Sequence, residues 1–275
     1  MFGRNSIVGQ KYFDKAGDKL FVTSIFYTLQ GEGPYRGEPA VFVRLAKCNL
    51  ACSFCDTYFD GGDWLSPEEL EARIFKAVVD YFGEEVPEWF REKVGLVVTG
   101  GEPMLQKNLG VFLEYIKDRF AWTQIESNGT IVQNIPDSTT LVVSPKCLEK
   151  NGKPVKYLEP NPKMLARADC LKFVMNADQD SPYSSIPDWA RGDRKVFISP
   201  MNIYNREPQK SKQMRSEQNS ITLEERSAVD EVISWWEPGL LNYKSNEENH
   251  KYVAAYCAKN GYIFNMQLHL FAGIA

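Results

Sequence analysis

Candidate strands and helices alternate along this chain, and the alternation restricts the folds that it can adopt. Apolar runs rich in branched and aromatic residues predict strands at 20–28, 40–46, 95–99, 123–127, 140–144, 171–175, 195–199 and 262–270. Helical patterns fall near 66–81, 104–119, 222–236 and 246–259. Strands that alternate with helices favour a parallel sheet with right-handed crossovers. We therefore predict an α/β fold with a mostly parallel sheet, of the kind that forms a barrel or a partial barrel.

The first of these helices has the most complete start signal. Ser66 precedes it, Pro67 takes its first position, and Glu69 stands where a capping box places Glu or Gln. The sequence therefore predicts that this helix begins directly after Ser66.

A chain of 275 residues, 43% of them apolar, can bury a full core, so we predict a single domain over 1–275. Two stretches are expected to be insertions in that domain. One is the acidic and aromatic segment 83–93, and the other is the polar segment 203–220, which has few apolar residues.

The net charge of −4 argues against a nucleic-acid partner, because no block of Lys or Arg could follow a phosphate backbone. A small-molecule substrate is expected instead. No run of about 18 apolar residues could span a membrane, and the first twenty residues lack the apolar core of a signal peptide. We therefore expect no membrane partner and a cytoplasmic location, where most of the six cysteines stay reduced.

Three of those cysteines form the pattern Cys-x3-Cys-x2-Cys at Cys48, Cys52 and Cys55, just beyond the strand predicted at 40–46. Three thiolates can bind three irons of a [4Fe-4S] cluster and leave the fourth iron open to the amino and carboxylate groups of S-adenosylmethionine. A structural zinc site needs four ligands, and the two histidines, His250 and His269, lie far along the chain. Buried structural cysteines are disfavoured because the surrounding loop is polar.

Further polar motifs follow other predicted strands. They are Thr99-Gly100-Gly101-Glu102-Pro103, Glu126 to Gly129, and Ser144-Pro145-Lys146. The glycine pair would let the backbone approach a ligand, although a tight turn between strand and helix explains it too. Glu102 could accept a hydrogen bond from an ammonium group. Polar ends of parallel strands meet at one rim, so these motifs predict a shared binding site there.

Taken together, the chain resembles the radical S-adenosylmethionine enzymes and, within them, the 7-carboxy-7-deazaguanine synthases. The resemblance covers nearly the whole chain outside the two insertions. The cysteines indicate the superfamily. The narrower family rests on three short motifs, which are Thr28-Leu29-Gln30-Gly31-Glu32-Gly33, Cys55-Asp56-Thr57 and Gln267-Leu268-His269.

This resemblance implies a modified partial (β/α) barrel and a ring contraction. The reaction converts 6-carboxy-5,6,7,8-tetrahydropterin to 7-carboxy-7-deazaguanine with loss of ammonia, in queuosine and 7-deazapurine biosynthesis. S-adenosylmethionine is used catalytically, with a [4Fe-4S] cluster and Mg²⁺. A reductase such as flavodoxin or ferredoxin would be the protein partner. The chain is also expected to be able to form a homodimer.

The resemblance also implies residue roles. The pterin substrate would contact Leu29, Gln30, Gly31, Glu32, Arg44, Thr99 and the terminal carboxylate of Ala275. Within this set, Arg44 suits the substrate carboxylate because guanidinium binds carboxylates in a planar, bidentate way. S-adenosylmethionine would contact Phe54, Cys55, Asp56, Gly101, Glu102, Glu126, Ser144, Pro145, Lys146, Ser199, Pro200, Met201, Asn202 and His269.

Thr57 is the predicted Mg²⁺ ligand, because it follows Cys55-Asp56 and offers a hard oxygen; a hydroxyl that caps the local turn is the alternative. Where the family often has Gln-Pro and Lys, this chain has Ser199-Pro200 and Leu270.

Two other classes share part of this pattern. An activase that generates a glycyl radical on a partner protein would have the three cysteines but not Thr28 to Gly33. A non-catalytic cluster protein or zinc protein would need a fourth protein ligand, which the sequence does not offer near the cysteines.

Overall fold

The computed structural model describes residues 5–83, 85–206, 222–229 and 235–273. Its strands are β1 (Leu20–Leu29), β2 (Pro39–Leu45), β3 (Asp63–Leu65), β4 (Gly95–Gly100), β5 (Trp122–Ser127), β6 (Thr139–Val143), β7 (Cys147–Lys150), β8 (Lys153–Tyr157), β9 (Cys170–Met175), β10 (Lys195–Pro200) and β11 (Ile263–Phe264).

The α-helices are α1 (Pro67–Phe82), α2 (Phe90–Lys93), α3 (Leu109–Ile116), α4 (Pro162–Arg167), α5 (Leu223–Val229), α6 (Tyr243–Asn260) and α7 (Leu268–Ala272). Short 3-10 turns lie at Gln10–Phe13, Pro103–Leu105, Lys117–Arg119, Pro182–Ser184 and Asp188–Ala190.

One sheet organises the described part of the chain. Its strand order is β11-β10-β9-β6-β5-β4-β2-β1-β3. Neighbouring strands from β11 to β2 are parallel, whereas β1 runs antiparallel to both β2 and β3. The prediction of a mostly parallel α/β sheet is confirmed. The sheet stays open, because β3 and β11 form its two ends and do not pair with each other among the described residues.

Side chains on these strands alternate between two faces. On the outer face, Val43, Val98, Ile125 and Phe173 belong to the main core and pack with the helical layer, including Ile74 of α1. The inner face carries the polar side chains of Arg44, Thr99, Glu126, Lys172 and Ser199, together with a small apolar cluster of Val142, Cys170 and Phe197. Since parallel strands all end at the same edge, these groups gather on one concave surface near the carboxyl ends of the strands.

The predicted start of α1 is confirmed in detail. The Ser66 hydroxyl accepts the backbone N–H of Glu69, and the Glu69 carboxylate accepts the backbone N–H of Ser66 at 2.8 Å. Gly83 then ends the helix with φ of 70°, a left-handed conformation that glycine adopts without steric cost.

The prediction of a strand over 262–270 was wrong beyond its first part. Only Ile263 and Phe264 pair with β10; the backbone N–H of Leu268 then donates to the carbonyl of Gly31, and the chain turns into α7. Neither β3 nor the hairpin of β7 and β8 was predicted from the sequence. Asn151-Gly152 forms the hairpin turn, with φ of 52° and 74°, and this dipeptide is a strong signal for such a turn.

Of the predicted insertions, 83–93 begins at Gly83, which caps α1, and ends with the short helix α2; residue 84 lies outside the described residues. Most of 203–220 also lies outside them, as does 230–234 within the helix predicted at 222–236. None of the described helices is both long enough and apolar enough to cross a membrane.

Candidate active site

A cavity of about 820 Å³ opens on the inner face of the sheet. Most residues predicted for the substrate, the cofactor and the metals line it. These are Leu29, Gln30, Gly31, Glu32, Arg44, Cys48, Cys52, Phe54, Cys55, Asp56, Thr57, Thr99, Gly101, Glu126, Ser144, Lys146, Pro200, Asn202 and His269. Glu102, Pro145, Ser199 and Met201 lie behind the lining, and Ala275 falls outside the described residues.

The loop that carries the three cysteines is closed at its base. Lys47 donates its backbone N–H to the carbonyl of Phe59 at 2.8 Å, and its ammonium pairs with Asp60 at 3.4 Å. Lys47 has φ of 74°, which is uncommon for a residue with a side chain and marks local strain directly before Cys48. The buried ion pair and the backbone bond hold this conformation.

The N-terminal segment is fastened to the same base. The backbone N–H of Ser6 donates to both carboxylate oxygens of Asp60, at 2.7 and 2.8 Å. The backbone N–H of Val8 donates to the carbonyl of Cys48 at 2.9 Å. This attachment was not predicted, since residues 6 and 60 are too far apart in the chain for a local pattern to connect them.

The glycine pair brings two backbones together. Gly101 donates its N–H to the carbonyl of Leu45 at 3.0 Å. A Cβ atom on Gly100 would lie 2.0 Å from the Leu45 carbonyl oxygen, and one on Gly101 would lie 2.0 Å from that of Lys47. The glycines therefore allow close contact with the chain that leads into the cysteine loop, besides exposing Gly101 to the cavity.

Glu102 joins two of the predicted motifs behind the cavity wall. Its carboxylate accepts from the backbone N–H of Met104 at 3.0 Å, the Ser127 hydroxyl at 2.8 Å and the backbone N–H of Asn128 at 2.7 Å. Burial raises the pKa of Glu102, and these hydrogen bonds partly oppose the rise. Its oxygens thus accept hydrogen bonds from the protein framework, and the contact with a ligand ammonium stays a prediction.

The three thiols suit a cluster. Burial raises the pKa of Cys48 and Cys55 to about 12 and that of Cys52 to about 11, so each needs a nearby positive charge to become a thiolate. Iron ions held by these thiols would supply that charge. Within the described residues, no three His, Cys, Asp or Glu side chains are grouped to share one metal ion. A cubane does not require such grouping, because each cysteine binds a different iron.

A buried charge network crosses the inner face. The Lys172 ammonium donates to Glu32 at 2.9 Å and to Glu126 at 2.7 Å, joining β9 to β5 and to the loop after β1. The hydroxyl of Ser199 and the amide of Asn265 donate to Glu32 at 2.7 and 3.3 Å. Neither Lys172 nor Asn265 was predicted as a site residue, although a lysine within the apolar run 170–175 was a usable signal.

This network shifts the ionisation of its members. Burial lowers the pKa of Lys172, but Glu126 and Glu32 together raise it above its ordinary value. Burial alone would raise the pKa of Glu32. The Lys172 ammonium and the hydrogen bond from the Ser199 hydroxyl outweigh burial, so the pKa of Glu32 lies below its ordinary value. Glu32 therefore lines the cavity as an ionised carboxylate, which can only accept hydrogen bonds.

His269 on α7 covers the loop after β1. A Cβ atom on Gly31 would lie 2.4 Å from His269 Nδ1, so only glycine leaves room for this ring. Burial lowers the pKa of His269, and the nearby carboxylates of Glu32 and Asp56 partly oppose the effect. The motif near residue 30 and the motif near residue 268 thus form one wall, although they lie at opposite ends of the chain.

Arg44 and Thr57 meet near the cysteines. Arg44 Nη1 donates to Thr57 Oγ1 at 3.4 Å, and the Thr57 hydroxyl donates to Asp56 Oδ1 at 3.0 Å. The Arg44 guanidinium also lies over the ring of Phe26, 5.6 Å from its centroid. A cation on a fixed aromatic surface is well placed to receive a carboxylate in the cavity.

The hairpin of β7 and β8 lies against the cysteine loop. Glu149 accepts the backbone N–H of Ser53 through both carboxylate oxygens, and the Ser53 hydroxyl donates to it at 3.1 Å. Phe54 meets Tyr183 edge to face, with ring centroids 5.1 Å apart, and the Tyr183 hydroxyl accepts the backbone N–H of Cys147. Glu149 was not predicted as a site residue, because the hairpin that carries it was not predicted.

Comparisons with known proteins agree with the resemblance found in the sequence motifs. The family model described as Radical SAM superfamily matches residues 43–139. Proteins named 7-carboxy-7-deazaguanine synthase are similar to this chain. The protein of Rhodospirillum rubrum is 37% identical over 68% of this chain and 71% of its own length. The protein of Rickettsia prowazekii is 32% identical over 81% of this chain and 87% of its own length.

Among solved structures, the crystal structure of QueE from Escherichia coli superposes with a TM-score of 0.55 and 21% sequence identity. The superposition covers 95% of this chain and 99% of that one, and it supports the same fold.

Proposed function

The chain belongs to the 7-carboxy-7-deazaguanine synthase family of radical S-adenosylmethionine enzymes, and we propose that its cavity contracts the ring of 6-carboxy-5,6,7,8-tetrahydropterin to 7-carboxy-7-deazaguanine. Ammonia is released, and the product serves queuosine and 7-deazapurine biosynthesis. Membership of this family implies a [4Fe-4S] cluster and S-adenosylmethionine. The observation that supports the proposal is that one cavity collects the cysteine loop, the loop after β1 and the polar ends of the parallel strands.

Cys48, Cys52 and Cys55 would hold the cluster, and the polar groups at the ends of β6 and β10, including Ser144, Lys146 and Asn202, would bind S-adenosylmethionine. When bound, the cluster and S-adenosylmethionine would together supply a 5′-deoxyadenosyl radical able to remove hydrogen from the substrate. Lys146 already donates to the carbonyl and the hydroxyl of Ser144, at 2.7 and 2.6 Å, which orients its side chain along the cavity wall.

The residues around the pterin would orient it rather than react with it. Arg44 would bind the substrate carboxylate, while Gln30 and Glu32 would pair with the polar edge of the ring. Lys172 keeps Glu32 ionised and immobile, so its oxygens are directed before the substrate arrives. Thr57 would add a hydroxyl ligand to Mg²⁺, and the carboxylate of Ala275 stays a prediction for the pterin edge.

Reconstitution tests this function directly. The protein would be loaded anaerobically with iron and sulfide, reduced, and given the carboxypterin with S-adenosylmethionine, and the products would be identified by mass spectrometry. We expect 7-carboxy-7-deazaguanine and ammonia. Cleavage of S-adenosylmethionine with the pterin left intact would contradict the assignment and would favour another radical enzyme, such as an activase.

A reductant is required for the radical chemistry, and a flavodoxin or a ferredoxin is the proposed class. A homodimer remains a prediction.

A further inference from the structure

The hairpin of β7 and β8 has two chemically different faces. Cys147, Glu149 and Tyr157 point toward the cysteine loop and the core beneath it. Leu148, Lys150, Lys153, Val155 and Lys156 point outward, and we call these five residues the outer hairpin face. A bulge in the pairing places Val155 on this side, because Leu148 pairs with Lys156 whereas Glu149 pairs with Pro154.

The outer hairpin face combines positive charge with exposed apolar surface. Its three lysines are all exposed, and Leu148 and Val155 keep 36% and 49% of their surface accessible. The whole chain has a net charge of −4, so this basic group stands out from the overall balance. The one carboxylate of the hairpin, Glu149, is turned inward to Ser53 and does not neutralise the lysines.

The outer hairpin face lies close to the cysteine loop. Glu149 contacts the backbone of Ser53, which lies between Cys52 and Cys55. The outer hairpin face is therefore separated from the cysteine loop by one two-stranded layer. A protein that docks there would approach the proposed cluster from outside without entering the cavity in which the substrate and S-adenosylmethionine bind.

We propose that the outer hairpin face is the docking surface for a small acidic one-electron carrier protein. The proposal rests on the proposed function, since it needs a cluster at the three cysteines. One electron would pass from the carrier to the cluster, lowering the cluster charge from 2+ to 1+, and no covalent bond would form or break. The lysines steer the acidic partner, and Leu148 and Val155 supply apolar contact at the centre.

The test is the rate at which a reduced acidic flavodoxin, as the probe, reduces the reconstituted cluster in stopped-flow absorbance. The variant is Lys150→Glu with Lys153→Glu and Lys156→Glu. Its matched control is Lys93→Glu with Lys117→Glu and Lys195→Glu, which makes the same change in charge near the opposite edge of the sheet. Lys93 ends α2 before β4, Lys117 begins the 3-10 turn before β5, and Lys195 begins β10. Electrostatic steering changes association rates by roughly 10-fold or more at low salt.

We expect the hairpin variant to be reduced at least about 10-fold more slowly by flavodoxin at low ionic strength, with the difference shrinking at high salt. Reduction by dithionite, a small reductant that needs no docking surface, should be unchanged in both variants. Equal flavodoxin rates in the hairpin variant, the control variant and the parent protein would overturn the proposal.

Two further results would also overturn it. If dithionite reduction fell as much as flavodoxin reduction, the substitutions would have damaged the cluster loop. If an RNA oligonucleotide bound the parent protein as tightly as flavodoxin and lost binding in the hairpin variant, the face would be a general polyanion surface. Failure of the proposed function is distinguishable, because the parent protein would then take up no cluster or convert no pterin.

Discussion

The carboxylate of Glu149 accepts the backbone N–H of Ser53 through both of its oxygens, at 3.0 and 2.9 Å. The two residues are 96 positions apart, and Ser53 lies in the turn that is closed by the hydrogen bond from Cys55 N–H to the carbonyl of Cys52. A side chain from the hairpin therefore holds the turn on which two of the three proposed cluster ligands stand.

The first prediction concerns this contact. Glu149→Ala should release iron from the reconstituted protein to a chelator roughly 10- to 100-fold faster, because a hydrogen bond to a charged group contributes about 1.5–3 kcal/mol. Glu149→Gln keeps one acceptor oxygen and should release iron at an intermediate rate. Glu159→Ala, which removes an exposed carboxylate just beyond β8, is the control. Equal release rates in all variants would show that Glu149 does not stabilise the loop.

The second prediction separates two groups of cysteines. Cys48→Ala, Cys52→Ala and Cys55→Ala should each lose the absorbance and most of the iron of the reconstituted cluster. Cys170→Ala and Cys257→Ala should keep both, because these thiols are buried within β9 and α6. Iron analysis and absorbance spectra provide the measurement. The assignment is wrong if Cys257→Ala alone abolishes the cluster.

The third prediction concerns Mg²⁺. Thr57→Ala should lower turnover and raise the Mg²⁺ concentration needed for half-maximal turnover, because it removes a hydroxyl ligand. Thr57→Ser retains the hydroxyl and should behave like the parent enzyme. Turnover measured over a range of Mg²⁺ concentrations distinguishes a ligand from a hydroxyl that only bonds to Asp56. Indifference of the parent enzyme to Mg²⁺ would exclude the metal role.

The fourth prediction concerns the buried charges. Lys172→Met leaves Glu32 and Glu126 without their shared cation, which should cost about 3–5 kcal/mol of unfolding free energy near neutral pH. The folded-state pKa of Glu32 lies below its ordinary value, so in the parent protein its contribution is present above the unfolded pKa and is lost as the pH falls through the folded pKa. Lys172 has a raised pKa, and its contribution is lost only as the pH rises through that value.

In the Lys172→Met variant Glu32 can take up a proton more easily, so the destabilisation should be smaller at pH of about 5 than at pH of about 8. Urea unfolding at both pH values measures it. Lys195→Met, an exposed lysine at the start of β10, should change the unfolding free energy by less than about 0.5 kcal/mol. A loss that is the same at both pH values would argue against an ionised Glu32.

The fifth prediction concerns backbone packing. Gly101→Ala should lower the unfolding free energy by about 1–3 kcal/mol, because its Cβ would lie 2.0 Å from the backbone carbonyl oxygen of Lys47 and the chain must shift. Gly9→Ala is the matched control, since no atom lies within 4 Å of a Cβ there. Urea unfolding of the two variants provides the comparison, and equal midpoints would mean that the loop adapts freely.

The features of this protein that could be predicted from its sequence are those set by residues close together in the chain. The capping box at Ser66 and Glu69 depends on residues three apart, and the parallel strands depend on apolar runs of five or six residues. The spacing of Cys48, Cys52 and Cys55 places three thiols in one loop whatever surrounds them. Such features involve neighbours in the chain, so the residues themselves determine them.

Long-range contacts had to come from the tertiary structure. Lys172 and Glu32 are 140 residues apart, and only the order of the strands places β9 beside the loop after β1. The same holds for Glu149, whose target is defined by how the hairpin folds back, and for His269, which lies on a short helix where a strand was predicted. Residues 262–273 have an apolar pattern that suits strand or helix, and the contact of Leu268 with Gly31 decided between them. A local pattern specifies which face a side chain takes, whereas its partner depends on the packing of the whole sheet.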